Sequence, residues 1–325
     1  MTGLGKTQVQ SFSSLLLSGV ISQGSRAPLD YIFIKTFDQM RKSSLLRWIP
    51  ENVYYRLNPI FWNFVSGLFV IFLYLRRIYS EAGKNPVYFF QVLCLSAALI
   101  LYYFWPSNIY FSAEMRPYAL WNSLWFSLAA LVFLFPESFW GAFFLALFLA
   151  MTSSGALFQL LMLALSFVLF SFLKRKDSKR ALIGVIKKFA LPVLVTLFYS
   201  IRSKMGYCDR PEAYQGYVTA FFTFWESQWF VSIFSVAGIV LMVFSARYPT
   251  GSVVFGAMLL LYIFSPLANY VMLRSGFFFD GRQYLYYHLI FPLFFLGLSL
   301  VLPDYWEKIG GRFSCFSAKR SLLPY

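Results

Sequence analysis

Residues Ala156–Leu173 read ALFQLLMLALSFVLFSFL, 18 residues without an ionisable side chain, and Lys174–Arg180 (KRKDSKR) follows at once. At about 1.5 Å per residue, a helix of that length covers roughly 27 Å, close to the ~30 Å hydrocarbon core of a bilayer. An apolar helix with a basic flank reads as a membrane span anchored by a cytoplasmic loop. Outward from it, the segments Ile60–Leu75, Val87–Trp105, Tyr118–Phe135 and Phe139–Met151 precede, and Ile183–Ile201, Trp229–Phe244, Gly251–Tyr270 and Tyr284–Leu302 follow. Phe139–Met151 is short for a span and is expected to borrow from Ser138 or from Thr152–Ser154. The expected fold is all-α: a polytopic transmembrane bundle of about nine helices with an interfacial helix on its outer face.

Composition agrees. The 325 residues are 59% hydrophobic and 13% charged, against about 45–50% and roughly 25% in a soluble domain. Mean hydropathy is +0.63. Forty Phe, 22 Tyr and 9 Trp exceed what a soluble core of this length buries, so they must also serve as lipid-facing surface. Cys94, Cys208 and Cys315 are too few and scattered for a disulfide scaffold. The net charge of +15 would point to nucleic acid in a soluble protein. Here it resides in loops, and no nucleic-acid partner is expected.

The charges orient the bundle. With the connection after Leu75 cytoplasmic, 15 basic residues fall inside, among them Arg76, Arg77, Lys84, Lys187, Lys188, Arg247 and those of the tail. Six fall outside after residue 59: Arg116, Arg202, Lys204, Arg210, Arg274 and Arg282. This is the positive-inside pattern. The expected organisation is an outer interfacial segment at 1–58, a bundle at 59–302 and a basic cytoplasmic tail at 303–325. Nine helices place 1–58 outside, although Phe12–Ile21 is too short to span and seven basic residues resist translocation. A further transmembrane helix upstream of Met1 is the expected resolution. Within the segment, Leu29, Ile32, Phe33, Phe37 and Met40 recur at helical spacing opposite Asp38, Gln39, Arg41 and Lys42. That stripe suits a helix lying in the interface or packed on the bundle.

Chemistry is most legible in Asn108–Leu120, NIYFSAEMRPYAL, which joins two spans on the outer face. Pro117 suits a first helical turn. Glu114 and Arg116 then precede a helix N-terminus, where partial positive charge and a guanidinium fork suit a phosphate. The carboxylate can bind a divalent metal, orient a hydroxyl or pair with the arginine.

SAEMRPYAL is similar to the S-x-E-x-R-x-Y-x-L pattern of the polytopic C-type glycosyltransferases. That group comprises the dolichyl-phosphate-mannose-protein mannosyltransferases and their bacterial relatives, the aminoarabinose transferases among them. Ser25–Phe37 (SRAPLDYIFIKTF) resembles their H-P-P-L-Y-Y-L-L interfacial segment, with Arg26 and Ala27 where His and Pro are usual. Glu51–Leu75 (ENVYYRLNPIFWNFVSGLFVIFLYL) resembles their E-x-x-x-R-L-x-S helix entry, and Gly281–Phe295 (GRQYLYYHLIFPLFF) their late R-Y-x-x-x-x-x-P helix. The resemblance implies a bacterial inner-membrane enzyme with a cytoplasmic C-terminus. It would pass a sugar from a polyprenyl-phosphate donor to a lipid, protein or glycan acceptor on the outer face. Arg116 and Arg282 are the implied phosphate ligands, Tyr118 a cavity-lining residue and Glu114 the acid on hand. No cofactor is implied beyond a divalent metal that Glu114 can serve. The family's main acid follows its first transmembrane helix, so here it is expected upstream of Met1, leaving the chain inactive as it stands. Asp30 occupies a position where the family carries Tyr and is expected to be a poor substitute.

Other residues read more plainly. His288 stands alone, which excludes a histidine cluster for a metal, and is expected to be a satisfied helix residue. Asp209, Glu212 and Glu226 read as solvated loop charge, and Asp280 as a partner for Arg282. The competing readings are a transporter or flippase for lipid-linked glycans and a noncatalytic membrane protein; internal repeats and broken helices would mark a transporter.

Overall fold

The computed structural model describes residues 28–43, 45–81, 88–113, 118–173, 178–202, 225–245, 248–274 and 286–302, with residues 11, 13, 14, 16, 222, 223 and 305. Among these every regular element is a helix, so the chain is an all-α, multi-pass membrane bundle. Among the described residues there are nine apolar helices, four of them long enough to cross a bilayer by length and composition, and all nine coincide with the segments expected. In chain order the elements are the amphipathic α1 (Leu29–Ser43), the short α2 (Glu51–Tyr54), α3 (Leu57–Glu81), α4 (Tyr88–Phe104) and α5 (Pro106–Ala113). Then come α6 (Tyr118–Leu134), α7 (Phe139–Ala150), α8 (Ala156–Leu173), α9 (Ser178–Arg202), α10 (Phe230–Phe244) and α11 (Ser252–Arg274). Tyr286–Leu302 forms α12. The two ends of the bundle are called below the Asn58 end and the Arg76 end, after residues at the start and finish of α3.

Helix α6 is the hub. Fifteen of its 17 residues are buried, as expected of a helix apolar all round and therefore enclosed on every side. It packs on α3, α7 and α11. Its few polar side chains bond across helices: Ser66 of α3 donates to the Ser123 carbonyl at 2.9 Å and lies 2.9 Å from the Ser127 hydroxyl. The Ser123 hydroxyl donates to Asn63 Oδ1 at 2.7 Å, and the Tyr102 hydroxyl of α4 reaches the same oxygen at 3.1 Å. In hydrocarbon such bonds have no water to compete with and fix helix register, each contributing about 0.6–2 kcal/mol.

Close approach uses glycine where rings press in. A Cβ on Gly238 would lie inside the Phe255 ring, and one on Gly67 inside the Tyr103 hydroxyl. Pro266 interrupts α11, and a proline removes the donor that the carbonyl four residues back would use. That carbonyl, of Tyr262, is taken instead by Trp225 Nε1 at 2.8 Å and the Ser265 hydroxyl at 2.9 Å.

Two expectations change. Helix α7 does not lengthen: Ser138 is its N-cap and Met151 its C-cap, leaving a rod of roughly 18 Å. The α1 helix seats on its far end, the Leu29 amide donating to the Met151 carbonyl at 2.9 Å. The second change is the face α1 buries. Asp30, Ile34 and Asp38 turn inward, with Leu29, while Met40 is 52% exposed. Side-chain bonding explains the rotation. Asp38 accepts from the Tyr55 hydroxyl at 2.6 Å and from Lys42 Nζ at 2.6 Å, which offsets the burial of its charge.

Candidate functional site at the Asn58 end

Three polar groupings gather at the Asn58 end, each set by helix starts and turns. The first centres on Asp30, in the first turn of α1 and only 3% exposed. Its carboxylate accepts from Asn58 Nδ2 at 3.3 Å, and Asn58 Oδ1 in turn accepts from Trp62 Nε1 at 2.9 Å. Phe33 covers the indole, ring centroids 4.3 Å apart. A single long hydrogen bond cannot replace the hydration lost by a carboxylate. Burial therefore pushes the Asp30 carboxyl up from 3.8 to about 7, against the smaller pull of Asn58. Near neutral pH the group can both take and give a proton, the property required of a general base or acid.

Asp38, eight residues on, is the counterexample. Burial pushes its carboxyl up too, but the Lys42 and Tyr55 hydrogen bonds and the charges of Lys42 and Arg41 outweigh it, leaving the group below the ordinary value. Its neighbour Tyr54 donates to the Phe37 carbonyl at 2.9 Å with the Arg41 guanidinium over its ring. Asp38 is thus committed to locking α1 onto the segment before α3. Asp30 is not so committed.

The second grouping lies where α6 and α8 begin. Trp121 Nε1 donates to Gln159 Oε1 at 2.7 Å, and Tyr286 of α12 meets both Trp121 and Trp125 edge-on, at 5.8 and 6.5 Å. Gln159 Nε2, Trp125 Nε1 and Asn122 Oδ1 are buried without a hydrogen-bond partner among the described residues. Each such atom costs about 1–3 kcal/mol when left unmade. The third grouping ties α5 to the hub: Asn108 Nδ2 donates to the Tyr102 carbonyl at 2.5 Å and Asn108 Oδ1 accepts from Asn122 at 3.2 Å. This anchors the stretch that leads into Glu114 and Arg116.

Of the residues singled out from sequence, Glu114, Arg116 and Arg282 lie outside the described residues, as do Asp209, Glu212 and Asp280. Tyr118 opens α6 and is half-buried against the core. Glu226 is exposed, as a solvated charge should be. His288 is wedged between Trp105 and Phe230, at 4.8 and 5.6 Å between ring centroids. Its Nδ1 is buried without a partner among the described residues, so it is not the satisfied histidine expected. Among the described residues no group of three His, Cys, Asp or Glu is arranged to hold a metal. Sequence reasoning placed Asp30 on the interfacial helix without anticipating its burial. The available signal was the i, i+4, i+8 row Asp30–Ile34–Asp38, which marks one helix face as readily as the apolar row does.

No family model, curated protein or solved structure matches the chain.

Proposed function

We propose that this protein is a membrane-embedded transferase that moves a sugar from a polyprenyl-phosphate carrier to an acceptor hydroxyl at the Asn58 end of the bundle, with Asp30 as the proton acceptor. The observation that carries the reading is the Asp30 carboxyl, buried where the interfacial helix meets the membrane helices and hydrogen-bonded among the described residues to Asn58. The ordered motifs from Ser25 to Phe295 supply the substrate class. In this reading the acceptor oxygen bonds to the anomeric carbon as the carbon–phosphate oxygen bond breaks. The hydroxyl proton passes to the Asp30 carboxylate, and the bonding pair leaves on the lipid phosphate. Arg116 and Arg282 take that phosphate, Tyr118 lines the approach, and Glu114 is the second carboxylate, available to the acceptor or to a divalent metal. The Asn58 end faces outward, as the charge bias requires.

The test is transfer by the full chain in vesicles given a panel of polyprenyl-phosphate sugars. Turnover should fall about 10²–10⁴-fold in Asp30→Asn, the loss typical of a missing general base. Full activity in that variant would transfer the role to Glu114, to be checked with Glu114→Gln. Donor that binds but is never consumed by the wild-type chain would refute the transferase reading and favour a lipid-linked-glycan transporter.

A further inference from the structure

At the Arg76 end, opposite the Asp30 carboxyl, the last turns of α3 face the turn that joins α6 to α7 and the turn that opens α11. Between them is a cavity of about 530 Å³, within the size range of roughly 300–1,000 Å³ that small ligands occupy. Arg76 and Arg77 line it, together with Phe135, Glu137, Tyr248 and Thr250. The Arg76 guanidinium stands 5.4 Å from the Phe135 ring centroid. Arg77 stands 5.8 Å from the same ring and 5.1 Å from that of Tyr248. Cation–π contact with the rings restrains both guanidiniums before any ligand arrives, which lowers the ordering cost of binding. Lys188 of α9 adds a third cation beside the cavity, its ammonium donating to the Pro136 carbonyl at 2.7 Å. Glu137 is the one carboxylate among the described lining residues, so positive charge is in excess.

Backbone electrostatics point the same way. Helix α7 begins at Phe139 with no side-chain cap from Ser138, and the 23-residue α11 begins just past Thr250. Both helices therefore direct the positive ends of their dipoles toward these turns. The depth is that of a membrane interface: Trp140 and Tyr79 are 66% and 75% exposed close by, the placement of an aromatic belt. Leu73, Leu131 and Leu134, all buried in the helical core, form its apolar floor. A cationic pocket at interface depth suits a phosphate-bearing ligand whose acyl chains stay in the bilayer.

We infer that this cavity is a binding site for the phosphodiester headgroup of an anionic phospholipid, clamped by Arg76 and Arg77, with its chains remaining in the bilayer. Basic pockets between membrane helices on the cytoplasmic side hold anionic headgroups in this way. The site is independent of the transfer chemistry proposed for the opposite end.

The experiment uses the purified full chain in uncharged detergent, with bound lipid counted by native mass spectrometry and stability followed by thermal melting. Phosphatidylglycerol should be retained in preference to phosphatidylcholine and should raise the melting midpoint, while inorganic phosphate at the same concentration should not. A juxtamembrane arginine contributes about fivefold to anionic-lipid binding, so Arg76→Gln with Arg77→Gln should lower the preference roughly 25-fold. Lys187→Gln, which removes an exposed charge from the same end but outside the cavity, should leave it within about twofold. Equal retention of the two lipids by the wild-type chain would overturn the inference, and needs no variant to fold. So would an equal loss in Lys187→Gln, which would mark general surface charge, or the same midpoint rise with inorganic phosphate, which would mark a free-anion site.

Discussion

Replacing Asp30 by Asn should stabilise the protein while slowing transfer about 10²–10⁴-fold, and the stabilisation should depend on pH. The native carboxyl titrates at about 7 and an unfolded one at 3.8. Between those values the folded state binds more protons than the unfolded state, so stability falls as pH rises, and above about 7 the loss is complete. At 1.36 kcal/mol per pH unit, the full penalty of an ionised Asp30 is about 4 kcal/mol, and near pH 5 only about 2 kcal/mol has accrued. Asparagine has the same shape, stays neutral and still offers an oxygen to Asn58. The variant should therefore gain about 4 kcal/mol near pH 8 and about 2 kcal/mol near pH 5. In thermal melting of the detergent-solubilised chain the gain near pH 8 corresponds to a midpoint rise of roughly 5–10 °C. Transfer by the wild-type chain should rise as pH passes through about 7, where the base loses its proton, opposite in sign to stability. A gain that is equal at the two pH values, or a loss near pH 8, would refute the ionisation assigned to Asp30.

Membrane-impermeant thiol labelling of a Cys-free background should reach Gln39→Cys from outside intact cells and Ser80→Cys only after permeabilisation; the reverse pattern would put the Asp30 site on the cytoplasmic face. Arg116→Ala should cost about 2–5 kcal/mol in donor binding or transition-state stabilisation, as for a desolvated charge pair losing one member, and wild-type kinetics in that variant would remove Arg116 from the site. Gly238→Ala should destabilise by about 1–3 kcal/mol, because the new methyl meets the Phe255 ring, and Phe255→Leu in the same chain should restore part of the loss. Trp225→Phe should cost about 1–2 kcal/mol by leaving the Tyr262 carbonyl, already without its helix donor, with one partner fewer; an unchanged midpoint would mean that Ser265 alone suffices.

The nine apolar helices were legible in the linear pattern because a bilayer imposes one requirement on each span, enough apolar length to satisfy its backbone internally. That requirement is local, so Ala156–Leu173 was located to the residue without any knowledge of its neighbours. Charge bias is equally local, and it gave an expected orientation and an expected phosphate-binding stretch at Glu114 and Arg116. The tertiary structure decided what depends on contacts between distant segments. Asp30 gained its raised proton affinity from burial against helices distant in sequence, only partly opposed by Asn58, 28 residues away, and Asp38 its anchor from Tyr55, 17 residues away. The same hydrophobic pattern would have permitted α1 to bury Met40 and expose both carboxylates. Which face went inward depended on where hydrogen-bond donors stood, and the partners each buried carboxyl met, not residue type, then separated the one that titrates near neutrality from the one that does not.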